Sequence, residues 1–161
     1  MPEIHITRLM QEHKAWKRDH PTGFIAKPSK NADGSLNLMR WNCRIPGLPN
    51  TLYEGGLLPV VMEFSSDYPQ MPPKCRFDPP LCHPNIFPSG TVCLSLLAEG
   101  KQWRPSLRVK DILLGIQSLL EGVNLEDPAN ERGYRLYQED REAYNKQIIE
   151  YVRQHSTALR D

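Results

Sequence analysis

Between positions 83 and 93 the chain reads His83-Pro84-Asn85-Ile86-Phe87-Pro88-Ser89-Gly90-Thr91-Val92-Cys93, a run that no regular helix accommodates. Its two prolines lack backbone donors and, with Gly90, disfavour a central strand, so the backbone must take an irregular path. Such a path can carry Asn85 back toward Cys93, eight residues on. An amide donor beside a thiol points to acyl chemistry. A thioester on Cys93 attacked by an amine passes through a tetrahedral oxyanion, and a fixed N–H donor such as the Asn85 side chain stabilises charge of that kind. Asn85 equally suits the bracing of a turn, and a lone cysteine equally suits a core.

The patterning on either side predicts what holds this segment. Ile6, Leu9, Met10 and Trp16 fall on one helical stripe while Lys14, Lys17 and Arg18 lie off it, predicting an amphipathic helix over residues 3–19 that stops at His20-Pro21. Short runs with Pro and Gly punctuation follow, at Phe24 to Ala26, Leu36 to Ile45, Leu57 to Phe64 and Lys74 to Phe77. They read as the strands of an antiparallel meander with Asn31-Ala32-Asp33-Gly34 as its first turn. In the third, Leu58, Val60, Met62 and Phe64 make the more uniformly apolar face. Beyond the irregular stretch of about 78–108, helical spacing returns over Val109 to Leu120, with Gly122 just past the end, and again over about 130–139 and 141–155. Helix, four strands, a long irregular segment and then helices is an α+β order.

With 161 residues, 39% hydrophobic and 24% charged, the chain suits one domain with a substantial core and no disordered or fibrous class. The net charge is +1, yet residues 1–30 carry six Lys/Arg against three Asp/Glu, while 121–161 carry six against nine. The basic front end suits an acidic protein partner. Nucleic-acid binding is not expected, because no basic run or aromatic-interleaved basic motif occurs, and neither is membrane insertion, because no apolar stretch approaches the roughly 20 residues needed to span a bilayer. Cys43, Cys75, Cys82 and Cys93 follow no secretory signal and include no Cys-x-x-Cys pair, so all four read as reduced thiols of an intracellular protein, with a zinc site the weaker alternative. Cys43, Cys75 and Cys82 read as structural.

The His83-Pro84-Asn85 run with Cys93 downstream, followed by Leu94-Ser95-Leu96-Leu97 and Trp103-Arg104-Pro105, resembles the ubiquitin-conjugating enzyme family. Within it the wording is most similar to the SUMO-conjugating branch, at Lys14-Ala15-Trp16, Asp19-His20-Pro21, Glu54-Gly55-Gly56, Pro72-Pro73-Lys74-Cys75, Pro88 to Cys93 and Ile112 to Gln117. The resemblance covers almost the whole length. It implies a single ubiquitin-conjugating domain over 1–161 in which Cys93 accepts SUMO from the SUMO-activating enzyme and passes it to substrate lysines. SUMO ligases are implied as further partners. No metal or organic cofactor is implied, ATP being consumed upstream by the activating enzyme. Residence in nucleus and cytoplasm as a monomer is implied too. The alternatives are the same reaction with ubiquitin or another modifier, a non-catalytic binding module of the same fold, and a cysteine hydrolase.

At matching positions the resemblance gives Asn85 the oxyanion and Asp127 the placing of the incoming lysine. It gives Phe87, Pro128 and Ala129 a partly apolar groove, which favours the neutral amine. Lys74 and Arg76, two apart on a strand and so on one face, would read an acid two places after the acceptor lysine. Ser89 and Thr91 would bond substrate backbone, and His83 would be structural. His13, Lys14, Lys17 and His20 would bind the modifier non-covalently. Phe87 stands where the family usually has Tyr, residues 98–102 are less acidic than the branch's insertion, and His13, Lys17 and Thr22 depart from its arginine and aromatic pattern.

Overall fold

In a computed structural model that describes residues 3–156, the expected order of elements is found; the outermost residues of the unit expected over 1–161 lie outside the described residues. Helix α1 (Ile4–Arg18) precedes four antiparallel strands, β1 (Ile25–Lys30), β2 (Leu36–Pro46), β3 (Leu57–Glu63) and β4 (Lys74–Phe77), in the spatial order β1-β2-β3-β4. After a long irregular segment with one 3₁₀ turn at Ser95–Leu97 come α2 (Val109–Glu121), α3 (Glu131–Glu139) and α4 (Arg141–Gln154). The turn after β1 closes at Asn31–Gly34 as the sequence predicts, with Gly34 at φ +88, a left-handed value that suits glycine. No helix among the described residues is long and apolar enough to cross a membrane.

One face of the sheet carries the core. Trp41, Cys43 and Ile45 of β2, Leu58, Val60 and Met62 of β3 and Cys75 and Phe77 of β4 are buried in one cluster with Ile112, Leu113 and Ile116 of α2. Each fully buried aliphatic side chain of this kind contributes about 1.5–3 kcal/mol. The other face of β3 is covered as well, since Leu57, Pro59 and Val61 are also buried. Val61 lies between Asn42 and Arg76 in register, and the Leu57 N–H meets the His155 carbonyl at the end of α4.

Three local expectations change. The buried stripe of α1 is His5, Leu9, Glu12 and Trp16, while Met10 turns outward. The reason is Glu12, whose carboxylate accepts from Arg8 Nε (3.1 Å), Arg108 Nε (2.7 Å) and the Val109 N–H (2.9 Å). A buried charge so satisfied can face inward, and here it ties α1 to the start of α2. Strand β1 runs past Ala26 to Lys30 because it is an edge strand whose register shifts between Pro28 and Ser29, one of the few strand sites that tolerate a proline. Gly122 ends α2 at φ −87 and does not use the left-handed conformation expected of a C-terminal glycine.

The irregular segment is pinned to α2 by His83. Its ring is fully buried, with Nε2 3.2 Å from both the Leu119 and the Leu120 carbonyls, and its Nδ1 accepts from the Asn85 N–H at 3.0 Å. Two carbonyls on one nitrogen and a donor on the other require the neutral Nε2–H tautomer. Burial, partly offset by the two carbonyls, lowers the His83 pKa to about 4. The fold is therefore structural at this histidine, as the sequence reading has it, and a Cys-His dyad is excluded by its partners.

Because the folded state holds His83 neutral while the unfolded chain takes up a proton near pH 6.5, this contribution is complete above pH 6.5. It is lost as pH falls from there through about 4. The loss amounts to about 3 kcal/mol. Urea unfolding at pH 7 and pH 4.5 should show a steeper loss of stability in the native chain than in His83→Gln. Parallel pH dependences would contradict the buried neutral ring.

Candidate active site

The eight-residue spacing of Asn85 and Cys93 turns out to be a hairpin register. The Phe87 N–H donates to the Thr91 carbonyl (2.8 Å), Ile86 bridges Val92, and the Cys93 N–H donates to the Asn85 carbonyl (2.9 Å), so the backbone doubles back at Pro88-Ser89-Gly90. Residues 90–92 also extend the main sheet. Phe77 donates to the Gly90 carbonyl, Val92 donates to the Cys75 carbonyl, and Arg76 bridges Thr91. Alternation then sorts the side chains. Ile86, Val92, Cys75 and Phe77 point into the core, all 6% exposed or less. Asn85, Phe87, Thr91 and Cys93 leave on the opposite side, with Lys74 and Arg76 beside them. Directly opposed residues of an antiparallel pair keep Cβ atoms about 5 Å apart, which brings the Asn85 and Cys93 side chains together.

Gly90 makes this turn feasible twice over. Its φ is +94, and an added Cβ would run into the Phe77 carbonyl oxygen that lies against it.

The Asn85 carboxamide is 2% exposed and closes on the backbone of Asn124. Oδ1 accepts from the Asn124 N–H (2.8 Å) and Nδ2 donates to the Asn124 carbonyl (2.7 Å). The carboxamide thus braces the loop, and a single N–H of Nδ2 stays uncommitted among the described residues. Asn124 escapes a reading of side chains because it works through its backbone, although its Oδ1 also accepts from the Glu126 N–H at 2.9 Å, an Asx-type turn.

Cys93 opens into a groove lined by Asn85, Phe87, Asn124, Glu126 and Asp127. It is half-buried. Cys43 and Cys75 are buried, and desolvation raises the first to about 12 and the second well above its ordinary value, so both stay protonated. Cys82 is partly exposed but is also raised by burial, with Arg132 Nη1 3.7 Å from its sulfur pulling the other way. Phe87 is 42% exposed and forms an apolar wall. The exposed Asp127 lines the groove, whereas the next residues, the exposed Pro128 and half-buried Ala129, lie outside its lining, which takes apolar surface from Leu94, Leu97 and Leu119 instead. Asp127 does not cap α3. That cap is Asn130, whose Oδ1 accepts from the Gly133 N–H at 2.9 Å, leaving the Asp127 carboxylate without an ion pair among the described residues. The asparagine three residues ahead of Gly133 was the available signal.

Of the basic pair, Lys74 is exposed and unpaired among the described residues. Arg76 is shared between Glu63 (3.3 Å) and Asp78 (3.3 Å), which leaves less of its charge for a ligand. Ser89 and Thr91 face one another, hydroxyl to hydroxyl, at 2.9 Å. His13, Lys14, Lys17 and His20 stand together on α1 and its end, and none lines the Cys93 groove. His13 packs edge-on against Trp41, and burial, then Lys17, lowers its pKa. His20 stacks on Trp16 and is fixed by the Trp16 carbonyl at 2.8 Å. No group of three or more His, Cys, Asp or Glu among the described residues is placed to hold a metal ion.

If Gly90 sets the turn, Gly90→Ala should cost about 1–3 kcal/mol, read as a lowered urea midpoint. An unchanged midpoint would contradict the close approach to Phe77.

The sequence profile of the ubiquitin-conjugating enzyme family matches residues 8–152. The chain is 55% identical to the SUMO-conjugating enzyme UBC9 of Caenorhabditis elegans over 148 residues, 92% of this chain and 89% of that protein. It is 52% identical to the Sumo-conjugating enzyme ubc9 of Dictyostelium discoideum over 148 residues, 92% of this chain and 93% of that one. It is also 52% identical to the SUMO-conjugating enzyme SCE1 of Arabidopsis thaliana over 141 residues, 88% of each. With this match along nearly its whole length and a thiol opposed to a carboxamide across one hairpin, the chain belongs to the ubiquitin-conjugating enzyme family.

Proposed function

We propose that the chain is a SUMO-conjugating transferase: Cys93 takes SUMO from the SUMO-activating enzyme as a thioester and passes it to substrate lysines as an isopeptide. The observation that carries the reading is the pairing of Asn85 and Cys93 across the hairpin, and the SUMO-conjugating relatives supply the modifier.

Charging is thiol exchange. The Cys93 thiolate attacks the carbonyl of the thioester held by the activating enzyme, whose cysteine leaves as thiolate. In the second step a lysine amine attacks the Cys93 thioester, an oxyanion forms, and its collapse breaks the C–S bond and releases Cys93 as thiolate. The uncommitted Asn85 N–H is the donor for that oxyanion, pre-set because the rest of the carboxamide is held by Asn124. A free lysine, with pKa about 10.4, is almost wholly ammonium at neutral pH. The apolar wall of Phe87, with Pro128 and Ala129 flanking Asp127 at the rim, favours the neutral amine by desolvation, whereas the Asp127 charge opposes that shift, so its part is first to orient the amine and then to draw off its proton. Lys74, with the larger unshared charge, meets an acid two places after the lysine, and Arg76 adds to it. Ser89 and Thr91 face the same substrate strand. His13, Lys14, Lys17 and His20 would hold a second modifier non-covalently. By the same reading the enzyme works with SUMO ligases, as a monomer, in nucleus and cytoplasm, without a metal or organic cofactor of its own.

Incubation with ATP, SUMO and the SUMO-activating enzyme should give a reductant-sensitive adduct, and the ubiquitin set should give none; the reverse pattern would overturn the choice of modifier. Asn85→Ala should slow discharge to free lysine by about 10²-fold or more relative to charging. Equal slowing of both steps would mean that the amide serves only to hold the loop.

A further inference from the structure

The wall that carries Asp127 is joined to the Cys93 hairpin through one buried side chain. Asn130 is 8% exposed, and both ends of its carboxamide are engaged: Nδ2 donates to the Ile86 carbonyl (2.9 Å) and Oδ1 accepts from the Gly133 N–H (2.9 Å). Ile86 lies between Asn85 and Phe87 and bridges Val92, the neighbour of Cys93. The same junction is closed by two backbone bonds, from the Ala129 and Asn130 N–H groups to the Pro84 carbonyl at 2.8 and 3.2 Å. It is also closed by Gly133, where an added Cβ would press on the His83 backbone. Asp127 itself makes no hydrogen bond or ion pair with the described residues, so its place over the groove is set by Pro128, Ala129 and this junction.

We propose that Asn130 is a positioning residue for the acceptor lysine: its bond to the Ile86 carbonyl holds the Asp127–Ala129 wall at the distance from Cys93 at which the amine is seated. The inference rests on the lysine-transfer reading above. A helix cap alone would need only Oδ1. The Nδ2 bond serves the hairpin and not the helix, and this separates the two roles.

Asn130→Ser tests it, because serine remains a good cap for α3 but cannot reach the Ile86 carbonyl. The charged enzyme is discharged in parallel to free lysine and to hydroxylamine, a small nucleophile that is neutral at neutral pH and has no alkyl chain to be seated. The expected result is a fall of about tenfold in the ratio of lysine to hydroxylamine discharge. Introduced into Asp127→Ala, the same substitution should lower that ratio no further, since the two residues act through one wall. An unchanged ratio in Asn130→Ser, equal slowing toward both nucleophiles, or a full additional loss in the Asp127→Ala background would each overturn the inference alone. Failure of the unsubstituted chain to form any SUMO thioester would overturn the transfer reading and the inference with it.

Discussion

The closure of the Asn85 carboxamide on the backbone of Asn124 is the interaction from which the rest of the site takes its shape. Two loops meet where one buried side chain satisfies both a backbone N–H and a backbone carbonyl of the exposed Asn124. Each such bond contributes about 0.5–1.5 kcal/mol net, and the pair holds the loop after α2 to one position. Asn85 is held in turn from behind by the neutral His83 ring and from the side by the Cys93 N–H. The donor that faces the groove is therefore set before any substrate arrives, which is the condition under which a single hydrogen bond contributes most to a reaction.

Burial sorts the titratable groups into structural and chemical ones. Glu12 is buried where two arginines and an N–H meet it, and His83 is buried and neutral because carbonyls and an N–H meet it. Cys43 and Cys75 are held as thiols by desolvation. Cys93 and Asp127 are instead half-buried and exposed, and share one groove with the exposed Lys101 and Glu126. The core behind it is built from the buried Phe77, Val92 and Ile86.

Much of this was legible in the residues, and the losses have physical causes. The strands at Leu36, Leu57 and Lys74 and the helix from Val109 declare themselves through periodicity. The first strand was cut short because Pro28 reads as a breaker, whereas an edge position with a register shift absorbs it. The stripe of α1 was misjudged because hydrophobicity cannot foresee that Glu12 finds partners nearly a hundred residues away. The prolines and glycine of residues 83–93 read as irregular backbone when they are the corner and flanks of a hairpin, since the pairing partner of each residue is not written in its neighbours. Asn85, Cys93 and Asp127 could be named from chemistry and resemblance. Asn124 could not, because it acts through its backbone; Asn130 is legible as a helix cap, but not in its long-range bond to the Ile86 carbonyl.

The division of labour within one carboxamide can be observed directly by nitrogen-15 NMR of the Asn85 side chain, following exchange of its two amide protons. The structure predicts one slowly exchanging proton, held by the Asn124 carbonyl, and one that exchanges faster and shifts downfield when Cys93 carries an acyl group. Two protons of equal, rapid exchange, or no shift on acylation, would contradict it.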